Sequence, residues 1–312
     1  MIACNCVLTI GKFEGIHLGH QTLLMEVKRQ AKSHRLSSAV MIFDPHPYIY
    51  LNNTQYKPLF TKEERSHILQ NIGPPDYLFY YPFDKTFAAL SPQDFCKILF
   101  EKYSAKLVIV GENYRFGKNR VGDIVFLQKC AATYNAKVQV VPPCKSSLVP
   151  SENTTQSVIS TSNIRKHLAE LNLLEANCQL GFPFFIMGTV TKGKQLGRTI
   201  GFPTLNVYPP DEKFLPSDGV YATQTTINGV KYYSVTNIGL RTTVESDCKI
   251  RTTETHLLNY TGSDLYGEHI KVELLEFIRH EYHFNSLDEL KTQIAKDILN
   301  CKPHRVLSGM II

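Results

Sequence analysis

Apolar positions in the first 145 residues fall into short runs separated by stretches with a helical repeat. The run "CVLTI" (6–10) reads as a strand, and Leu18, Leu23, Leu24, Val27 and Ala31 then recur near the helical period, which predicts an amphipathic helix over 18–33. The alternation continues as "SSAVMIF" (strand), "TKEERSHILQNI" (helix), "YLFYY" (strand), "SPQDFCKILFEKY" (helix), "AKLVIV" (strand), "DIVFLQKCAATYN" (helix) and "AKVQVV" (strand). Thr61 and Glu64 have the spacing of a capping box, and Ser91 precedes Pro92 as an N-cap precedes a first turn. Strand, helix, strand repeated in this way predicts a parallel sheet covered by helices on both faces. Ligands of such sheets bind beyond the carboxyl ends of the strands, where "GKFEGIHLGH" (11–20) and "GENYRFG" (111–117) both fall.

The pattern changes in the second half. A polar, irregular piece (145–158) leads into "STSNIRKHLAELNLLEANC", whose hydroxyl cluster suits a helix start. After Gly181 come "FFIMGTV", "TLNVY", "GVYATQTTI", "VKYYSVTNI", "IRTTETHLLNY" and "IKVELLEFIRH", rich in Val, Ile, Tyr and Thr, with no helical repeat between them until the C-terminal end. Asn228-Gly229 between two of these runs is a hairpin signal. The expectation is a mainly antiparallel sheet or closed β-barrel over 181–312, finished by a helix from about Leu287 to Leu299 with Ser286 and Glu289 as its capping box. Residues 1–180 are expected to form the α/β domain.

Composition narrows the class. With 43% hydrophobic and 20% charged residues, the chain is globular, and no apolar run approaches the roughly 18 residues that a membrane-spanning helix needs. This predicts a cytoplasmic protein without a membrane partner. Its eight cysteines lack paired CxxC spacing, which predicts reduced thiols. A net charge of +6 suits nucleic acid and nucleoside phosphates alike, but no recognisable nucleic-acid-binding motif appears, so no nucleic-acid partner is expected.

The candidate chemistry begins at His17 and His20. Two histidines three apart at a strand-to-helix junction could be half a metal site, a helix cap or a phosphate contact. Phosphate fits best: Gly11, Gly15 and Gly19 allow close backbone approach, a helix start offers free N–H groups, and imidazoles donate to developing negative charge. Further on, "GTVTKGKQ" (188–195) imitates a phosphate-binding GxxxxGK loop but ends in Gln195, which cannot ligate Mg²⁺ as a hydroxyl does, and two glycines and a proline stand where that loop's helix would begin.

At this point "GKFEGIHLGH" resembles the GxFDGxHxGH signature of the bacterial bifunctional riboflavin kinase/FAD synthetase (FMN adenylyltransferase) family. "FDPHP" (43–47), "LFTKEER" (59–65), "VGENYRFGKNRVGD" (110–123), "ISTSNIR" (159–165), "GKQLGRTIGFPTLN" (193–206), "DGVY" (218–221), "TNIG" (236–239) and "DLYG" (264–267) follow in that family's order. The resemblance implies a Rossmann-like nucleotidyltransferase domain joined to a β-barrel riboflavin kinase domain, with riboflavin, FMN, FAD and ATP as small-molecule partners and Mg²⁺ as the metal. It further implies that His17 and His20, with Phe13, serve the adenylylation site, that Asn113 lies in the nucleotide site, and that Ser162 and Arg165 grip phosphate. In the second domain it implies a nucleotide loop carrying Gly193, Lys194, Gly197, Arg198 and Gly201, Mg²⁺ held by Thr204 and Asn206, and Glu254 as the base for the ribityl hydroxyl. Glu254 and His256 share one strand face by the period of two.

Departures from the family pattern gather in the first domain, where Glu14 replaces the usual Asp, Asn113-Tyr114 replaces a frequent Asp-Phe, and Asn163 stands where an arginine is common. Two rival readings follow, a riboflavin kinase with a weakened or inactive adenylyltransferase domain and a flavin- or RNA-binding regulator without turnover.

Overall fold

The computed structural model describes residues 5–52, 56–145, 158–193, 195–242 and 249–301, which fall into two compact units, Met1–Thr161 and Ser162–Ile312. Lys194 and the polar stretch 146–157 lie outside the described residues.

In the first unit, β1 (Cys6–Gly11), β2 (Ser37–Asp44), β3 (Tyr77–Pro82), β4 (Leu107–Gly111) and β5 (Lys137–Val141) form a sheet of order β3-β2-β1-β4-β5. Every neighbouring pair is parallel. The helices are α1 (Leu18–His34), α2 (Pro47–Asn52), α3 (Lys62–Asn71), α4 (Lys85–Ala88), α5 (Pro92–Lys97, prolonged by a π-helical turn to Lys102) and α6 (Ile124–Thr133). Strand parity sorts the core into two layers. Leu8, Ile10, Val108 and Val110 point to the face covered by Phe95, Leu99 and Leu127, whereas Val7, Leu107 and Ile109 meet Val27 and Ala31 of α1. The chain leaves β1 for β2 on one side while β4 pairs on the other, so the strand order reverses between β1 and β4, the switch point beyond whose carboxyl ends sheets of this kind bind their ligands.

The second unit starts with α7 (Thr161–Ala169, from the last residue of the first unit) and α8 (Leu173–Leu180), and continues with β6 (Phe185–Thr189), α9 (Leu196–Thr199), β7 (Leu205–Val207), β8 (Gly219–Ile227), β9 (Val230–Thr242), β10 (Lys249–Leu257), β11 (His269–Arg279) and α10 (Leu287–Asn300). Its antiparallel sheet has the order β6-β11-β8-β9-β10-β7, and the Thr191 N–H donates to Asn206 O at 2.8 Å, linking the chain just after β6 to β7 and closing the barrel. Gly188 makes that closure possible, because a Cβ there would stand 2.5 Å from Val207 Cγ1. Inside, the hydroxyls of Thr223, Thr225, Ser234, Thr236 and Thr255 bond to one another at 2.7–2.9 Å, so a polar interior is stabilised without charge. The Asn228-Gly229 hairpin is present, with φ of +49° and +80°.

Two local expectations differ from the structure. The single-turn α9 interrupts the strand-rich region, and four residues are too few to carry a periodic signature. At α10 the Ser286 side chain accepts from Glu289 N as foreseen, but the Glu289 carboxylate reaches past the cap to Asn285 N at 2.9 Å, so the reciprocal half of the capping box lies one residue earlier.

Candidate active sites

The first site grows from the turn between β1 and α1. His17 is the N-cap of α1, and its Nδ1 accepts from His20 N at 3.4 Å, which leaves Nε2 to carry the proton as a donor. The two imidazoles stack with centroids 3.8 Å apart, and Phe13, fully buried, lies 5.0 Å from the His20 ring. This packing keeps both rings uncharged: burial depresses His17 to about 4, partly offset by its backbone bond and Glu14, and burial beside His17 puts His20 well below the ordinary histidine value. Space is tight here. A Cβ on Gly19 would stand 3.3 Å from the His17 ring, and one on Gly15 would stand 3.3 Å from Leu59 Cδ1 and 3.8 Å from Thr161 Oγ1. Gly11 ends β1.

Asn113 is exposed in the turn after β4, where Tyr114 N donates to Gly111 O. The histidine turn and Asn113 therefore follow adjacent strands at the same switch point. Ser162 and Arg165 lie in the first turns of α7 within the second unit, and the Arg165 guanidinium stands 4.9 Å from the Phe214 ring centre.

The second site is a cleft of about 240 Å³ on the outer face of the barrel, closed on one side by α10. Register builds it. Glu254 of β10 stands opposite Asn206 of β7 and opposite Asn237 of β9, so the three side chains form one row across three strands. Thr204, two residues before Asn206, and His256, two after Glu254, extend that face, and the His256 ring is fixed by a 2.8 Å bond from Nδ1 to Pro203 O. The Asn206 amide is buried against Gly193, where a Cβ would come within 2.6 Å of its oxygen. Gly197 lines the cleft from α9, Gly201 takes a φ of +88° in the following turn, and Arg198 is ion-paired with Asp264 of "DLYG". Gln195 donates to Tyr266 OH at 2.8 Å, docking the same loop on the same motif.

Several lining residues escaped the sequence reading. Arg279, at the end of β11, is held by the buried Asp297 of α10 through bonds of 2.8–3.1 Å and lies 4.6 Å over the Tyr282 ring. Phe284, Leu290 and Ile294 complete the apolar end. Asn237 donates to Glu281 at 2.7 Å. A signal for Asp297 was present: it follows Leu290 and Ile294 on the face of α10 turned inward, and a carboxylate on such a face demands a cation. The aromatic loop 282–284 has no periodicity to betray it.

Comparison with known proteins adds to this geometry. Residues 1–154 match the family model of FAD synthetase and residues 180–304 that of riboflavin kinase. A bifunctional riboflavin kinase/FMN adenylyltransferase of Escherichia coli (strain K12) is 40% identical over 303 residues, which are 96% of this chain and 92% of that protein. One of Listeria monocytogenes is 33% identical over 295 residues, 94% of this chain and 90% of the other. A crystal structure described as a macrolide-efflux protein from Streptococcus pneumoniae superposes with a TM-score of 0.81 at 28% identity, covering 96% of this chain and 94% of that one. Among the described residues no helix is long and apolar enough to cross a membrane, and what is shared with that structure is the backbone layout.

Proposed function

The chain belongs to the family of bifunctional riboflavin kinases/FMN adenylyltransferases, and from that premise we propose how its two sites divide the work. Residues 181–312 phosphorylate riboflavin to FMN with ATP, and residues 1–180 transfer AMP from a second ATP to FMN, giving FAD and pyrophosphate. The observation that carries this reading is the row Asn206–Glu254–Asn237 with Thr204 beside it, in a cleft whose far end is aromatic and aliphatic. Such a cleft suits a flavin ring at one end and a phosphate transfer at the other.

In the kinase step Glu254 accepts the proton of the ribityl 5′-hydroxyl as that oxygen bonds to the γ-phosphorus, and the bridging P–O bond breaks to release ADP. Gly193 and residues 195–201 cover the nucleotide, with Arg198 kept in place by Asp264. The donor set fits Mg²⁺. Thr204 and Asn206 offer hard oxygens, and phosphates and waters would complete the shell of an ion that retains waters readily. When bound, Mg²⁺ neutralises charge on the phosphates.

In the adenylylation step an FMN phosphate oxygen bonds to the α-phosphorus of ATP and pyrophosphate leaves. His17 donates from Nε2 to phosphate oxygens, and the stacked His20 keeps its ring in place. Asn113 meets the nucleotide from the neighbouring strand. For Ser162 and Arg165, both in the second unit, the phosphate-gripping part rests on the family resemblance alone. A reducing, ATP-supplied cytoplasm is the setting in which both reactions belong.

The test separates the half-reactions. Riboflavin plus ATP and Mg²⁺ should release ADP with FMN, and supplied FMN plus ATP should release pyrophosphate with FAD. ADP release without pyrophosphate release would reduce the chain to a kinase.

A further inference from the structure

The Glu14 carboxylate is buried, 3% exposed, in the turn that carries the two histidines, and the chemistry above leaves it without a task. It stands between Phe13 and Ile16, whose φ values of +43° and +45° belong to a region that bulky side chains avoid. Its Oε1 accepts from Leu59 N at 3.0 Å and its Oε2 from Tyr56 OH at 2.5 Å, donors that lie 45 and 42 residues further along the chain. His46 Nε2 stands 3.4 Å from the same Oε2, and the His46 ring stacks on Tyr56 at 4.8 Å. His46 Nδ1 accepts from Tyr48 N, so Nε2 is the nitrogen that carries hydrogen and faces the carboxylate. A carboxylate so engaged is directed toward the protein rather than toward a substrate.

We infer that Glu14 is a positioning residue for adenylylation, pinning the strained histidine turn to the 56–60 segment and so fixing where His17 and His20 present their rings. The inference rests on the reading of the first unit as an FMN adenylyltransferase. A turn with two left-handed residues that are not glycine persists only where its surroundings over-determine it. Phe13 and Ile16, both fully buried, supply apolar anchors, and Glu14 supplies a charged one. The departure from the family's aspartate then has a geometric reason. One carbon–carbon bond less would withdraw the carboxylate by roughly 1.5 Å, beyond the reach of both donors.

The test uses the full chain with Glu14→Gln, Glu14→Asp, Tyr56→Phe and the double variant Glu14→Gln/Tyr56→Phe. FMN adenylylation, riboflavin phosphorylation and the histidine ring resonances are measured on each preparation. Displacing reacting groups by about 1 Å costs on the order of 10²-fold. Both Glu14 variants should therefore lose about 10- to 100-fold in kcat for FAD formation, with KM for ATP and FMN changed less than threefold. Riboflavin phosphorylation should stay within twofold, and the ring signals of His17 and His20 should shift. Because Tyr56 acts through the same carboxylate, the double variant should be no worse than Glu14→Gln alone.

Parent-like FAD formation in Glu14→Gln, or losses that multiply in the double variant, would overturn the inference. If Glu14→Gln fails to fold, Tyr56→Phe decides, since it keeps the carboxylate, and an unchanged kcat there overturns the inference as well. A parent chain that phosphorylates riboflavin but makes no FAD from FMN refutes the adenylylation reading itself. In that case unmoved His17 and His20 signals in Glu14→Gln would still count against positioning.

Discussion

Replacing Asp297 by Asn perturbs an ionic contact that fastens α10 to the end of β11. Asp297 is 1% exposed, accepts from Arg279 Nε and Nη2 at 2.8–3.1 Å, and also accepts from Gln293 at 2.8 Å. Removing one partner of a buried ion pair costs about 3–5 kcal/mol. Asparagine keeps the shape and one acceptor oxygen, while the Arg279 side chain is 17% exposed and still lies over the Tyr282 ring, so the loss shrinks to about 2–3 kcal/mol. The consequence is local as well as global, because Leu290 and Ile294 of α10 wall the cleft. Chemical denaturation of the variant should show that loss of stability, and steady-state kinetics should show KM for riboflavin raised about tenfold, equivalent to ~1.4 kcal/mol of binding. Adenylylation of supplied FMN should be within twofold of the parent. A stability change under about 0.5 kcal/mol, the range of ordinary surface substitutions, would refute the account of α10, as would equal loss of both activities.

Three further outcomes follow from named contacts. Glu254→Gln removes basicity but keeps the row across β7, β10 and β9, so kcat for riboflavin phosphorylation should fall by about 10²- to 10⁴-fold with KM for ATP nearly unchanged; phosphorylation at the parent rate would remove Glu254 from the mechanism. His17 titrates near 4 when folded and near 6.5 when unfolded, so the unfolded chain binds the extra proton between those values and stability is lost as pH falls through that window. Between pH 7 and pH 5 this amounts to about 2 kcal/mol, and His17→Gln should flatten the measured slope by that amount; an unchanged slope would contradict the burial argument. A fragment beginning at Ser162 should fold and make FMN, whereas one beginning at Gly181 loses α8, whose buried Asn177 bonds both Leu274 O and Phe184 N, and should be less stable by about 2–4 kcal/mol in thermal and denaturant melts. Equal stability of the two fragments would show that α8 is dispensable.

How much of this was legible in the sequence depends on the range of the signal. The Thr61 capping box, the Ser91 cap with Pro92 and the Asn228-Gly229 turn are written in two to four adjacent residues, and each is present in the structure. The parallel sheet was legible because strands and helices alternate over the whole first unit. Glu14 was visible as a departure and its bonds were not, since Tyr56 and Leu59 lie more than forty residues away and are brought to it only by tertiary packing. The strand period put Glu254 and His256 on one face, but only the β7–β10–β9 register puts Asn206 and Asn237 beside Glu254. Tyr282 and Phe284 sit in a loop, where no period exists to reveal an inward face.

The central claim is that one chain carries out two successive transfers to a flavin. A single time course tests it directly: the purified chain is incubated with riboflavin, ATP and Mg²⁺, and riboflavin, FMN and FAD are resolved by chromatography. FMN should rise first and FAD should follow at its expense. FMN that accumulates without FAD, or riboflavin that remains unchanged, would contradict the account.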